Sequence, residues 1–155
     1  MTVTTGAPLP DIALPANGGQ TIALRDQIGK KLVLYFYPKD NTSGCTQQGQ
    51  DFRDARAEFD AAGCRILGVS RNTARQHDNF IAKFDFNFDL LADVEGELCT
   101  HFDVLKEKSM YGRKYIGIER STFLFDSKGT LVQEWRGVKI PGHVAEVLAA
   151  AQAVD

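Results

Sequence analysis

Near-continuous apolar runs and amphipathic stretches alternate along the first half of the chain. Residues 31–37 and 64–70 are almost continuously apolar and β-prone, which predicts central strands, the first of them buried on both faces. Each run is followed by helical periodicity, over residues 43–61 and 73–84. A strand–helix–strand–helix order of this kind predicts an α/β core.

Further elements are predicted on both sides of this core. Near the start, residues 11–14 and 20–24 flank Asn17-Gly18-Gly19, which favours a β-hairpin. Later elements are an extended segment at 88–92, a short helix at 95–102, a hairpin of strands at 121–125 and 130–135, and a helix that begins at Pro141. We interpret residues 110–114 as a solvated basic loop. With no repeats or linkers, the sequence predicts a single domain over residues 1–155.

Composition and charge restrict the class of protein. The chain is 43% apolar and 25% charged, as is usual for globular proteins. Its net charge of −2 gives no reason to expect nucleic acid or an anionic membrane as a partner. The first six residues lack the basic and apolar regions of a signal peptide, and no apolar run is long enough to span a membrane. We therefore expect a cytoplasmic protein. Because no long apolar stripe demands a partner, we expect a monomer.

The three cysteines are Cys45, Cys64 and Cys99. They cannot all pair within one chain, and no two of them form Cys-x-x-Cys. An odd number suits a reducing compartment and a working thiol. The histidines are scattered without metal-ligand spacing, so we expect neither a metal nor a cofactor.

Cys45 stands where a predicted strand gives way to a predicted helix. A thiol in the first turn of a helix lies near unpaired backbone N–H groups and the positive end of the helix dipole, and both favour the thiolate. The polar neighbours Ser43, Thr46 and Gln47 argue against burial of the side chain. Because the thiolate is the nucleophilic form, we predict a reactive cysteine rather than a packing residue.

The segment from Pro38 to Cys45 has the pattern Pro-x-x-x-Thr-x-x-Cys, the signature of peroxiredoxins, which are thiol peroxidases. Residues 6–11, 32–37 and 117–123 also resemble landmarks of that family. Residues 107–112 resemble its Q-type group, also called bacterioferritin comigratory proteins. The resemblance implies a thioredoxin-like fold, with a central mixed sheet flanked by helices. It also implies thiol-dependent reduction of hydrogen peroxide and organic hydroperoxides.

The same resemblance implies roles for four residues. Cys45 would attack the peroxide and become a sulfenic acid. The hydroxyl of Thr42 would reach the thiolate or the peroxide, Pro38 would shield the thiolate, and Arg120 would supply a permanent cation. Each has a simpler alternative: Thr42 as a helix cap, Pro38 as a strand terminator, and Arg120 as a solvated residue. The sequence alone does not place Arg120 beside Cys45.

A sulfenic acid must be reduced before the next turnover. Many Q-type relatives carry a resolving cysteine where this chain has Gln50, and others carry it where Ile81 stands. Only Cys64 and Cys99 remain, and a packing role is favoured for both. We predict a one-cysteine peroxidase whose reductant is an external thiol, either glutathione with glutaredoxin or thioredoxin. The alternatives are an internal disulfide to Cys99 or Cys64, and a thiol–disulfide exchange protein or a non-enzymatic module on the same fold.

Overall fold

The computed structural model describes residues 4–155. Residues 1–3 belong to the N-terminal segment for which the sequence predicts no signal peptide, and they lie outside the described range. Four helices are present in it: α1 (Ser43–Ala61), α2 (Ala74–Phe84), α3 (Glu97–His101) and α4 (His143–Ala153). The strands are β1 (Ala13–Pro15), β2 (Thr21–Ala23), β3 (Lys31–Phe36), β4 (Cys64–Ser70), β5 (Asp89–Ala92), β6 (Leu105–Met110), β7 (Arg113–Ile118), β8 (Ser121–Phe125) and β9 (Leu131–Arg136). Short 3-10 turns occupy Asn17–Gly19 and Leu24–Gln27.

Five strands form a central mixed sheet in the order β5-β4-β3-β8-β9. The pairs β3–β4 and β4–β5 are parallel, whereas β8 runs antiparallel to both β3 and β9. The separate β1–β2 pair is the predicted N-terminal hairpin. The mixed sheet flanked by helices is therefore confirmed, and the predicted bounds of α1 and β4 agree with the structure.

The side chains of β3 divide the interior into two layers. Leu32, Leu34 and Phe36 belong to one core cluster, which also contains α3 residues and the β1–β2 hairpin. Val33 and Tyr35 belong to the other, which packs against α1, α2 and α4. This alternation follows from the two-residue period of a strand, since successive side chains point to opposite faces.

The β6–β7 hairpin was not predicted, and the interpretation of residues 110–114 as a loop is wrong. These residues form the tip of the hairpin, where Met110 pairs with Arg113 across a turn at Tyr111 and Gly112. Both turn residues have positive φ, as a two-residue hairpin turn of type I′ requires. Most of the hairpin is exposed, so the strands lack the apolar alternation that reveals a half-buried strand.

Among the described residues, no helix is long and apolar enough to cross a membrane. Within residues 4–155 there is also no group of three or more metal-ligating side chains that could hold a metal ion.

Candidate active site

Cys45 is the third residue of α1 and lies at the carboxyl end of β3. Only 2% of the residue is exposed, so the expectation that polar neighbours would prevent burial is wrong. The helix directs Cys45 into the core cluster that contains Tyr35 and Tyr37, while Ser43 and Gln47 remain exposed. The thiol is therefore held in the first helical turn, largely shielded from solvent.

Arg120 approaches this thiol from the neighbouring strand. Its Nη2 donates to Cys45 Sγ over 3.4 Å. Arg120 immediately precedes β8, and the first residue of β8, Ser121, pairs with Phe36 at the end of β3. Because α1 begins just after that end of β3, the antiparallel register brings the guanidinium to the first turn of the helix. The structure thus brings together the two residues that sequence alone did not connect.

Gln48 is a site residue that the sequence analysis missed. It is fully buried one helical turn after Cys45, and its Oε1 accepts from Arg120 Nη1 at 2.5 Å. Its Nε2 has no hydrogen-bond partner among the described residues. The sequence feature that could have identified Gln48 is its three-residue spacing from Cys45, because residues three apart in a helix lie on the same face. Since Gln48 is neutral, it orients the guanidinium without cancelling its charge.

Thr42 and Pro38 lie in the loop before Cys45, which is a less direct connection to the thiol than the family resemblance implies. Thr42 occupies the N-cap position of α1 with extended backbone angles, but its side chain makes no capping hydrogen bond. Its hydroxyl instead donates to the carbonyl of Lys39 at 3.0 Å. Pro38 is half-buried and starts the loop that carries Thr42. The structure therefore places both residues in the loop before Cys45, with the Thr42 hydroxyl bonded to that loop.

Gly44 allows two side chains to approach the first turn of α1 closely. A Cβ built at this position would lie 3.2 Å from Ile140 Cδ1 and 3.4 Å from Arg120 Nη2. The segment that precedes α4 consequently packs over the turn that holds Cys45. A Cβ at this position would require the Ile140 side chain to shift slightly, whereas its contact with the guanidinium would be an ordinary van der Waals contact.

Ionisable groups near Cys45 and Arg120 are shifted towards their neutral forms. Burial raises the pKa of Tyr35 well above 10, and the Cys45 charge adds to that effect while Arg120 opposes it. Burial lowers the pKa of Lys108, as does Arg120. Burial also lowers the pKa of His143; Glu146 opposes this shift and Arg120 reinforces it. Arg120 is therefore the permanent cation in contact with the thiol.

The other two cysteines lie away from Cys45, Cys64 along the length of β3 and Cys99 across the sheet. Cys64 pairs with Lys31 at the amino end of β3, roughly 16 Å along the strand from Phe36, at about 3.3 Å per residue. Cys99 is fully buried in the core cluster on the opposite face of the sheet from Cys45. Burial raises the pKa of Cys64 to about 12 and holds that of Cys99 far above its usual range. Neither thiol is near Cys45 or readily ionised.

The AhpC/TSA family model matches residues 5–134 of this chain. Peroxiredoxin Bcp from Xanthomonas campestris is 53% identical over 143 residues, which cover 92% of this chain and 89% of that protein. Peroxiredoxin Bcp from Bacillus subtilis is 47% identical over 148 residues, covering 96% of this chain and 94% of that protein.

Solved structures of similar proteins have the same architecture. Peroxiredoxin Q from Xanthomonas campestris matches with a TM-score of 0.90 at 51% identity, covering 96% of this chain and 97% of that one. A cysteine-to-serine variant of PrxQ from Xylella fastidiosa matches with a TM-score of 0.93 at 42% identity, covering 99% and 98%. These matches confirm the predicted thioredoxin-like α/β fold.

Proposed function

The chain belongs to the AhpC/TSA family and is a peroxiredoxin of the Bcp or Q type, a thiol peroxidase; on this premise we propose that Cys45 is its peroxidatic residue and acts without a resolving cysteine. The observation that carries the proposal is the 3.4 Å contact between Arg120 Nη2 and Cys45 Sγ in the first turn of α1. A helix N-terminus and a guanidinium both favour the thiolate, which is the nucleophile.

In the first step, the Cys45 thiolate attacks one oxygen of the peroxide. An S–O bond forms as the O–O bond breaks, so the sulfur is oxidised and the peroxide is reduced. The distal oxygen leaves with the bonding electrons and takes up a proton, giving water or an alcohol. Arg120 stabilises the negative charge that develops on the leaving oxygen, and Pro38 and Thr42 hold the loop beside the thiol.

The resulting sulfenic acid is reduced by an external thiol. Cys64 lies at the amino end of β3 and Cys99 lies across the sheet from Cys45, which supports an external rather than an internal reductant. A disulfide needs Cα atoms within about 7 Å of each other. The packing therefore gives no support to the alternative of an internal disulfide from Cys45 to Cys99 or Cys64. An incoming thiol forms a mixed disulfide with Cys45 and releases water, and a second thiol then releases Cys45.

Glutathione with glutaredoxin, or thioredoxin alone, supplies thiols of the required kind. Because Cys45 is only 2% exposed, either reductant must act on a state in which the first turn of α1 has opened. The peroxides proposed are hydrogen peroxide and organic hydroperoxides. A solved structure of the bacterioferritin comigratory protein from Xanthomonas campestris is described in terms of alkyl peroxide reduction activity, which supports the second class. A monomeric state and a cytoplasmic location stay predictions from the sequence.

Intact-mass spectrometry of the reduced protein after one equivalent of hydrogen peroxide tests this proposal. The wild type is expected to gain one oxygen, whereas Cys45→Ser is expected to remain unchanged. A Cys64→Ser/Cys99→Ser double variant should gain the same oxygen and recover with dithiol reductant. Loss of two hydrogens by the wild type would contradict the one-cysteine mechanism. Identical masses for wild type and Cys45→Ser would contradict the role of Cys45. Exchange with a disulfide substrate in the absence of peroxide would favour the alternative activity.

A further inference from the structure

A buried acid–histidine pair holds the loop that leads into the Cys45 helix. Asp40 lies in that loop, and His77 is a fully buried residue of α2. Asp40 Oδ2 lies 2.7 Å from His77 Nδ1, and Asp40 Oδ1 accepts from the Tyr37 hydroxyl at 2.6 Å. The other ring nitrogen, His77 Nε2, lies 2.8 Å from the carbonyl oxygen of Leu91. The pair therefore connects the loop to both α2 and β5.

The two contacts of His77 determine how many protons the pair carries. The Leu91 carbonyl can only accept a hydrogen bond, so His77 Nε2 must be protonated. A second proton must then lie between Nδ1 and the Asp40 carboxyl, because a lone pair facing a carboxylate in a buried site is strongly unfavourable. That proton resides on the imidazole or on the carboxyl, and in both forms the pair is neutral overall.

The backbone of Asp40 is held as well as its side chain. Its N–H donates to Asn72 Oδ1 at 3.0 Å, and the Ser70 hydroxyl donates to the same oxygen at 2.7 Å. The next residue, Asn41, has a φ of 64°, in the left-handed region that asparagine adopts more readily than most other non-glycine residues. The hydrogen bonds to Asp40 and the turn at Asn41 together fix the course of the loop.

The ionisable groups around the pair do not compete for its proton. Burial raises the pKa of Tyr37 well above 10, with Asp40 adding to the shift, so Tyr37 remains a donor to the carboxyl. Tyr35, two residues earlier in β3, is likewise shifted to its neutral form because burial raises its pKa. On α2, the exposed Lys83 donates to Asn41 Oδ1 at 3.1 Å rather than to Asp40.

We propose that Asp40 and His77 are positioning residues for the peroxidase site, and that the proton they share holds the loop of residues 37–42 in place. The loop ends at Thr42, the N-cap of α1, so its position determines where the first turn presents Cys45 to Arg120. Neither residue touches the reacting atoms. The catalytic consequence rests on the proposed function of Cys45, whereas the effect on the loop does not.

Substitutions at the two positions separate this role from general stability. Asp40→Ala and His77→Gln remove the shared proton. Asp40→Asn retains every contact, because the amide can donate to Nδ1 of a neutral His77 while its oxygen accepts from Tyr37. His101→Gln is the matched control, since His101 is an exposed histidine of α3.

Two readouts are needed, one of them independent of activity. In Asp40→Ala and His77→Gln, hydrogen–deuterium exchange should accelerate in residues 38–46 but not in β3 or β4. The rate of Cys45 oxidation by peroxide should fall by about ten- to a hundred-fold, the usual effect of misplacing a catalytic group by about 1 Å. Asp40→Asn should restore both readouts, and His101→Gln should alter neither. If His77→Gln fails to fold, the comparison of Asp40→Ala with Asp40→Asn decides the result.

Nitrogen-15 NMR of the His77 ring gives a direct test of the proton count. The wild type is expected to show a protonated Nε2, and Asp40→Asn a neutral ring with its proton on Nε2. A wild-type ring whose single proton is on Nδ1 would overturn the proposal, as would unchanged exchange and oxidation rates in Asp40→Ala. If wild-type Cys45 does not react with peroxide, the proposed function fails while the exchange and NMR results still test the pair.

Discussion

Arg120 Nη2 lies 3.4 Å from Cys45 Sγ, although 75 residues separate the two in the chain. The contact depends on the pairing of Ser121 with Phe36, which places the start of β8 beside the end of β3. A guanidinium is permanently charged and more weakly hydrated than an ammonium, so it suits a partly buried position. The thiol is therefore paired with a cation that does not depend on pH.

Removing this cation should slow the reaction with peroxide. We expect Arg120→Ala to lower the second-order rate constant for Cys45 oxidation by roughly 10²- to 10³-fold, the usual effect of deleting one donor that stabilises developing charge. Stopped-flow measurement with hydrogen peroxide tests this expectation. Arg113→Ala is the control, because it removes an exposed cation from the β6–β7 hairpin. Equal rates for the two variants would mean that Arg120 has no specific role.

Gln48→Glu should weaken the effect of Arg120 on the thiol without removing the guanidinium. A carboxylate at the position of Gln48 Oε1 would pair with Arg120 Nη1 and offset its charge. The thiolate would then be less favoured. We expect the rate of Cys45 alkylation by iodoacetamide near neutral pH to fall by about ten-fold, because the thiolate is the reacting form.

Gln47→Glu is a closely matched control for that experiment. Gln47 lies in the same helical turn but is exposed, and its side chain donates to Asp51. The same change in charge at this solvated position should lower the alkylation rate much less, because water screens it. Equal decreases in both variants would show that Gln48 acts only through net charge.

Thr42 offers a test of whether its hydroxyl acts on the peroxide or only within the loop. Thr42→Val keeps the shape of the side chain but loses the hydroxyl that donates to Lys39. If the hydroxyl also reaches the reacting atoms, the rate of peroxide reduction should fall by about ten-fold, the equivalent of one charge-assisted hydrogen bond. Thr42→Ser should retain the wild-type rate. A normal rate in Thr42→Val, measured by stopped flow, would limit Thr42 to holding the loop.

His143 should make the fold less stable in mild acid. Its Nε2 lies 2.8 Å from the Thr122 hydroxyl, and burial lowers its pKa below 6.5. The unfolded chain therefore takes up a proton at this residue before the folded chain does, and the free energy of unfolding falls as the pH drops through about 6.5. The slope contributed by one such residue is at most about 1.4 kcal/mol per pH unit.

Urea unfolding between about pH 7.5 and about pH 5.5 measures that slope. His143→Gln should show a smaller loss of stability than the wild type over this range, because it removes the titrating group. His101→Gln should retain the wild-type slope, since His101 is exposed. A slope that is unchanged in His143→Gln would contradict the assignment.

Several features were predictable because they depend on neighbouring residues. The bounds of α1 and β4 follow from apolar periodicity, and Gly63, which has a positive φ just after the C-cap of α1, is the local signal for the end of that helix. The β6–β7 hairpin was missed because its exposed strands carry no such periodicity. The burial of Cys45 was missed because the polarity of its neighbours does not reveal which face of the helix meets the core.

The sequence by itself determined the strand and helix pattern and the motif from Pro38 to Cys45, since both are properties of short segments. Only the tertiary structure decided which distant residues meet Cys45. The β3–β8 register brought Arg120 to the thiol, and the packing of α3 against the opposite face of the sheet placed Cys99 away from it. The contact of Asp40 with His77 likewise joins a loop to a helix 37 residues later. Such contacts depend on strand order and register, which no local pattern specifies.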